Sequence, residues 1–278
     1  MKKTILILIS AIVLLSQTAC VIRRKLPDES MENSGSSEYD IPVINPDTTR
    51  TVGNYMIKDT DGGVEIIRCY DSGTDIVIPE KLDGLAVVSI GNDSFSDLEK
   101  LQSLTIPSGV TKIGSDAFSG CHDLLGIDIP DSVAEIGSRA FADCTSLKSV
   151  RVPEKVRTLK TYTFYNCYVM EEVTLSDNIT SIEKGAFFNC AKLTGVTLPE
   201  KLITIEIDAF YNCFELKSIK LPDTLEHLGK KAFEGCFRLE EIFFKGDVYT
   251  VYIGDDDYDH TDLLLAVNGE LEDENSGE

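Results

Sequence analysis

Six cysteines, Cys121, Cys144, Cys167, Cys190, Cys213 and Cys236, fall 23 residues apart and are the groups best placed to do chemistry in this 278-residue chain. One thiol per repeat, stacked at the spacing of neighbouring strands, lies within the Cα separation that a disulfide can span, so cross-links between neighbours stay open. The other readings are a ladder of small buried apolar thiols, or a metal site. Leu98 stands one period before Cys121 and points to an apolar requirement. A zinc site wants Cys and His clustered, whereas this column supplies one ligand per repeat.

Other chemistries have less to stand on. His122, His227 and His260 sit in unrelated columns. Ser176-Asp177-Asn178 and the Ser181/Lys184 pair imitate two motifs of penicillin-binding enzymes, but in reversed order and with no Lys-Thr-Gly following. Asp255, Asp257 and Asp259 alternate like calcium-loop ligands, while His260 and Ala266 replace the Gly and Glu such a loop needs. Among outward strand positions, Glu172 and Glu241 are three repeats apart, roughly 14 Å, where glycosidase carboxylates need roughly 5 to 9.5 Å. No catalytic residue, metal or cofactor is assigned.

Aromatic residues give a candidate surface. Tyr165, Phe188 and Tyr211 each follow a repeated Phe by one residue, and Tyr168, Phe214 and Phe237 occupy the column after the cysteines. Exposed apolar patches mark partners and aromatic side chains are enriched in interface cores, so these six are candidate partner-binding residues. The alternative is that they pack between neighbouring turns.

The elements that must position these residues are repeats. Phe95, Phe118, Phe141, Phe164, Phe187, Phe210 and Phe233 share the period of 23, and one unit reads I-G-x-x-A-F-x-x-C-x-x-L-x-x-I-x-I-P-x-x-V over residues 113–133. A fixed period of 20 to 29 residues signals a leucine-rich-repeat solenoid. Ile127 and Ile129 share one side of a short strand, and the proline after them ends its ladder. Ala117, Phe118 and Cys121 are expected on a short helical or 3-10 turn. The residue before each cysteine position is Asp97, Gly120, Asp143, Asn166, Asn189, Asn212 or Gly235. These types tolerate left-handed backbone, so each turn is expected to close there with a positive φ.

The AFxxC and LxxIxIP signatures resemble the BspA-like, or treponemal-type, leucine-rich repeats of bacterial surface proteins over about residues 55–245. Lys160, Glu183 and Glu206 depart from that pattern where Gly91, Gly114, Gly137 and Gly229 keep glycine. The resemblance implies a cell-surface binding or adhesion module. The expected fold is a repeat solenoid, α/β or mainly β, of about eight rungs with a parallel sheet, capped by a β-hairpin turning at Asp61-Gly62.

The flanks complete the organisation. Lys2 and Lys3, an apolar run over residues 5–15 and the small residues before Cys20 read as an export signal over residues 1–19. Thr18, Ala19 and Cys20 resemble a lipoprotein site, which implies lipidation of Cys20 and attachment to the outer side of the cell membrane; simple secretion or an uncleaved anchor are the alternatives. Residues 20–52 read as a tether, 53–253 as the solenoid and 254–278 as an acidic tail. With 26 Lys plus Arg against 47 Asp plus Glu, the net charge of −21 argues against nucleic acid. The function expected is non-enzymatic binding of an extracellular protein or glycan, with a self-associating envelope protein as the alternative and a hydrolase behind both.

Overall fold

Alternating apolar and polar residues in each Leu-x-x-Ile-x-Ile stretch place two apolar side chains on one side of a strand. In the structure, a computed structural model that describes residues 49–250, these stretches form a parallel front ladder. With strands numbered β1 to β19 in chain order, it contains β4 (Asp75–Val77), β7 (Ser103–Thr105), β9 (Gly126–Ile127), β11 (Ser149–Arg151) and β13 (Glu172–Thr174). A bridge from Thr105 to Asp128 joins β7 to the next rung, and the rung after β13 contributes only a bridge at Gly195. The ladder resumes with β16 (Ser218–Lys220) and β18 (Glu241–Phe244), which β19 (Asp247–Thr250) covers by antiparallel pairing.

A back ladder, not anticipated from the sequence, runs alongside. It begins with the antiparallel strands β1 (Thr49–Val52), β2 (Tyr55–Thr60) and β3 (Gly63–Cys69), the last two turning at Asp61-Gly62 as expected. Strand β1 lies in the stretch read as tether, so the folded part starts before residue 53. Beyond them come β6 (Leu85–Ile90), paired on one side with the short β5 (Lys81–Leu82), then β8 (Lys112–Ile113) and β10 (Glu135–Ile136). After an interruption the ladder continues through β12 (Thr158–Leu159), β14 (Ser181–Ile182), β15 (Thr204–Ile205) and β17 (His227–Leu228).

The third side corrects the expectation of helical turns: no helix occurs among the described residues. Here alternate amides point to the next rung. Asp116 N donates to Ser138 O at 2.9 Å, Phe118 N to Ala140 O at 2.8 Å and Gly120 N to Ala142 O at 2.9 Å, a pattern repeated along the stack. That requires a left-handed residue on either side of the phenylalanine. The expected column before the cysteine position supplies one, with positive φ at all seven positions from Asp97 to Gly235. The other comprises Asp93, Asp116, Arg139, Tyr162, Gly185, Asp208 and Lys231, whose types give no common signal. Two left-handed residues four apart cannot propagate an α-helix.

Between the three ladders the seven phenylalanines are fully buried and stack at centroid spacings of 5.1 to 5.6 Å. Burial of each contributes about 1.5 to 3 kcal/mol. The interruption between β10 and β12 coincides with the first break in the glycine column. A Cβ on Gly114 would lie 2.6 Å from the Asn92 amide nitrogen, and one on Gly137 would overlap the Ser115 amide nitrogen, so the approach at these rungs leaves no room for a side chain. Lys160 is the first residue to bring a Cβ into this column, and the pairing is lost at that rung. Glu183 and Glu206 then turn the departure to use: Glu183 Oε2 accepts from Thr161 N at 2.8 Å, and Glu206 Oε2 from Lys184 N at 2.9 Å.

Candidate binding surface

The cysteine column is a core feature. All six thiols are free and fully buried, and each donates to the carbonyl of the phenylalanine 26 residues earlier, at 3.1 to 3.3 Å. Burial pushes the Cys121 thiol up to about 12 and holds Cys144, Cys167, Cys190 and Cys213 well above the ordinary value. Thiols held protonated are poor nucleophiles and poor metal ligands. The remaining motifs are also scaffold. The buried Ser176 hydroxyl lies 3.3 Å from the Glu154 carbonyl and accepts from Asn178 N at 3.1 Å, closing a turn, while Ser181 belongs to β14. Cys20, Asp255, Asp257, Asp259 and His260 lie outside the described residues.

The aromatic columns lie outside the turn ladder as two stacks. Phe188 and Tyr211 are parallel to within 10° at 4.6 Å, and Tyr165 sits 5.4 Å from Phe188 with a tilt of 32°. Phe214 and Phe237 form the second stack at 5.4 Å and 7°. Tyr162, which the sequence reading missed, meets Tyr165 and Phe188 edge-on, and its ring occupies the space a Cβ on Gly185 would take. The Arg139 guanidinium, bonded to Asp116 at 2.9 Å, lies 5.6 Å from the Tyr165 ring. These rings turn their faces toward one another, so packing between turns does occur. Burial raises the Tyr165 and Tyr211 phenols, and Tyr168 to about 12. The most exposed members are Tyr168 and Phe237, at 39% and 53% of their surfaces. Ala191 separates Tyr168 from Phe214, so the six candidates do not form one continuous stripe.

A concave feature appears on the front face instead. Gly126, Asp128, Ser149, Arg151, Glu172 and Thr174, with the Ile127 and Val150 backbone as floor, line a groove of about 360 Å³ across β9, β11 and β13. Strand alternation turns these polar residues outward, and the missing side chain of Gly126 opens the groove: a Cβ there would meet nothing within 4 Å. Arg151 donates to Asp131 and also feels Asp128 and Glu154. Ser149, Glu172 and Thr174 make no side-chain hydrogen bond among the described residues. All were legible as outward positions; the hollow needed the neighbouring rungs.

Comparisons with known proteins agree with this architecture. A family model described as BspA type leucine rich repeat region matches the chain in six copies, over residues 69–191 and 158–264. Among solved structures, a leucine-rich repeat protein from T. pallidum is 28% identical over 70% of this chain and 83% of its own, with a TM-score of 0.50. One from Eubacterium ventriosum is 29% identical over 68% of this chain, with a TM-score of 0.56, and the match spans 50% of that protein's length. A search of the curated proteins gives no match.

Proposed function

The chain belongs to the BspA-type leucine-rich-repeat family, and on that premise we propose that it is a non-enzymatic binding module, held on the outer side of the cell by lipid at Cys20 and recognising a macromolecule through its front face. The observation that carries this reading is the contrast between columns. Phe, Cys and the strand apolars repeat almost unchanged in the core, while outward front positions vary from Ser103 and Gly126 to Arg151, Glu172 and Lys220. A scaffold that fixes its interior and frees one polar face presents a surface for recognition. The groove is within the size range of ligand sites. Its residues include no nucleophile paired with a base and an orienting group, which supports binding without turnover.

The test is to probe arrays of matrix proteins and glycans with the full chain and with Gly126→Trp. A ligand captured by the wild type should be lost at least tenfold in the variant at unchanged melting temperature, because the new side chain fills open space. Loss only in Tyr168→Ser/Phe237→Ser would move recognition to the aromatic columns, and capture of no ligand would remove the binding reading. Self-association is the second reading. It is favoured by the exposed rings of Tyr168 and Phe237, and light scattering showing concentration-dependent mass would support it.

A further inference from the structure

The sign and shape of the front groove narrow its ligand. Among the lining residues Arg151 brings one positive charge against Asp128 and Glu172, and Asp131 and Glu154 stand near Arg151 outside the lining, so the local balance is negative. Arg151 is already committed to Asp131. Glu172 faces the groove without an ion-pair partner among the described residues, and the hydroxyls of Ser149 and Thr174 add acceptors beside it. An anionic ligand, such as a sulfated or carboxylated glycan or a phosphate, would meet net repulsion here. No aromatic side chain lines the groove, so a pyranose ring finds no platform to stack on. The stacked rings are on the turn side, and the outward-facing Phe243 of β18 stands three rungs beyond Thr174.

We propose that the groove over β9, β11 and β13 takes an extended, basic segment of a partner protein, with its Lys or Arg side chains directed to Asp128 and Glu172. This rests on the binding reading above and chooses protein over glycan within it. The spacing sets the register. Asp128 and Glu172 are two rungs and two residues apart, roughly 12 Å between α-carbons at ~4.8 Å per rung and ~3.4 Å per residue. In an extended peptide, side chains four apart lie on one side and are separated by about 13.6 Å, whereas those two apart reach only about 6.8 Å. A pair of basic residues at i and i+4 therefore suits both carboxylates, with the peptide running obliquely across the strands over Gly126 and Ser149.

Calorimetric titration of the full chain with the acetylated, amidated peptide Gly-Lys-Ser-Gly-Ser-Lys-Gly tests this. The expected result is binding that weakens at least fivefold in Asp128→Asn/Glu172→Gln and stays within twofold in Asp177→Asn/Glu200→Gln, which removes the same charge from exposed positions outside the groove. Equal weakening in both variants would show general attraction to an acidic protein and overturn the proposal, as would absence of binding or equal binding of the peptide with Glu in place of Lys. A neutral glycan whose capture on the array depends on Gly126 would overturn the basic-segment assignment while leaving the binding reading intact. All four substituted residues are outward-facing, and matched thermal melts confirm that each variant is folded.

Discussion

Asn189 shows how much one side chain does in this stack. Its backbone is left-handed, with φ of 62°, and its amide donates to Asn166 Oδ1 at 2.8 Å while its own oxygen accepts from Asn212 at 2.9 Å. The ladder ends on Asp143, which accepts from Asn166 at 2.8 Å. Asn189→Val would force a β-branched residue into that backbone and break two bonds, at a cost of about 2 to 4 kcal/mol. Its melting temperature should fall by roughly 5 to 10 °C. Asn189→Gly keeps the conformation and should lose only about a third of that; equal losses would show that the backbone is not the cause. The thiols predict a pH effect. Cys121, Cys144, Cys167, Cys190 and Cys213 have folded-state values raised by burial above an ordinary value of 9.0. A raised group contributes stability that is complete below its unfolded value and is lost as pH climbs toward its folded one. Each such thiol removes about 1.4 kcal/mol per pH unit in that window. Melting temperature should therefore fall steeply above pH 9, and Cys144→Ala should make the decline shallower.

At the scale of the element, the glycine column and its replacements show two ways of closing the same turn. Gly114 and Gly137 permit close approach of successive rungs, whereas Glu183 and Glu206 send carboxylates back to cap the amides of the rung before. Gly137→Ala should destabilise the domain by about 1 to 3 kcal/mol through overpacking against Gly114 and Ser115. Chemical denaturation measures this, and a change below about 0.5 kcal/mol would mean that the rungs separate freely. The sequence marked Lys160, Glu183 and Glu206 as departures. It did not reveal the capping, because Glu183 and the Thr161 amide it serves are brought together only by stacking.

For the whole molecule, the distribution of charge matters more than its sum. Of 47 acidic residues, 11 fall in residues 246–278, where there is no Lys or Arg, and residues 1–52 balance. The charge that the front groove presents is therefore set locally, by Asp128, Arg151 and Glu172, rather than by the net −21. The export reading makes its own prediction at this scale. Cys20→Ser should shift the chain from the membrane fraction to the soluble fraction on cell fractionation, with the melting temperature of the soluble protein unchanged. Retention in the membrane would favour an uncleaved anchor.

The sequence by itself determined the period of 23, the buried columns and the left-handed site before each cysteine position, because these follow from residue type and from superposing identical units. Tertiary structure alone decided the second left-handed column, where Arg139, Tyr162 and Lys231 adopt positive φ for the sake of amides bonded to the next rung. It also decided that Phe188 and Tyr211 spend their faces on each other and that Gly126 opens a groove. The physical reason is common to both. Periodicity states which residues lie one above another, but ring planes, hollows and hydrogen-bond directions depend on the distance and tilt between rungs, which only the packed stack sets.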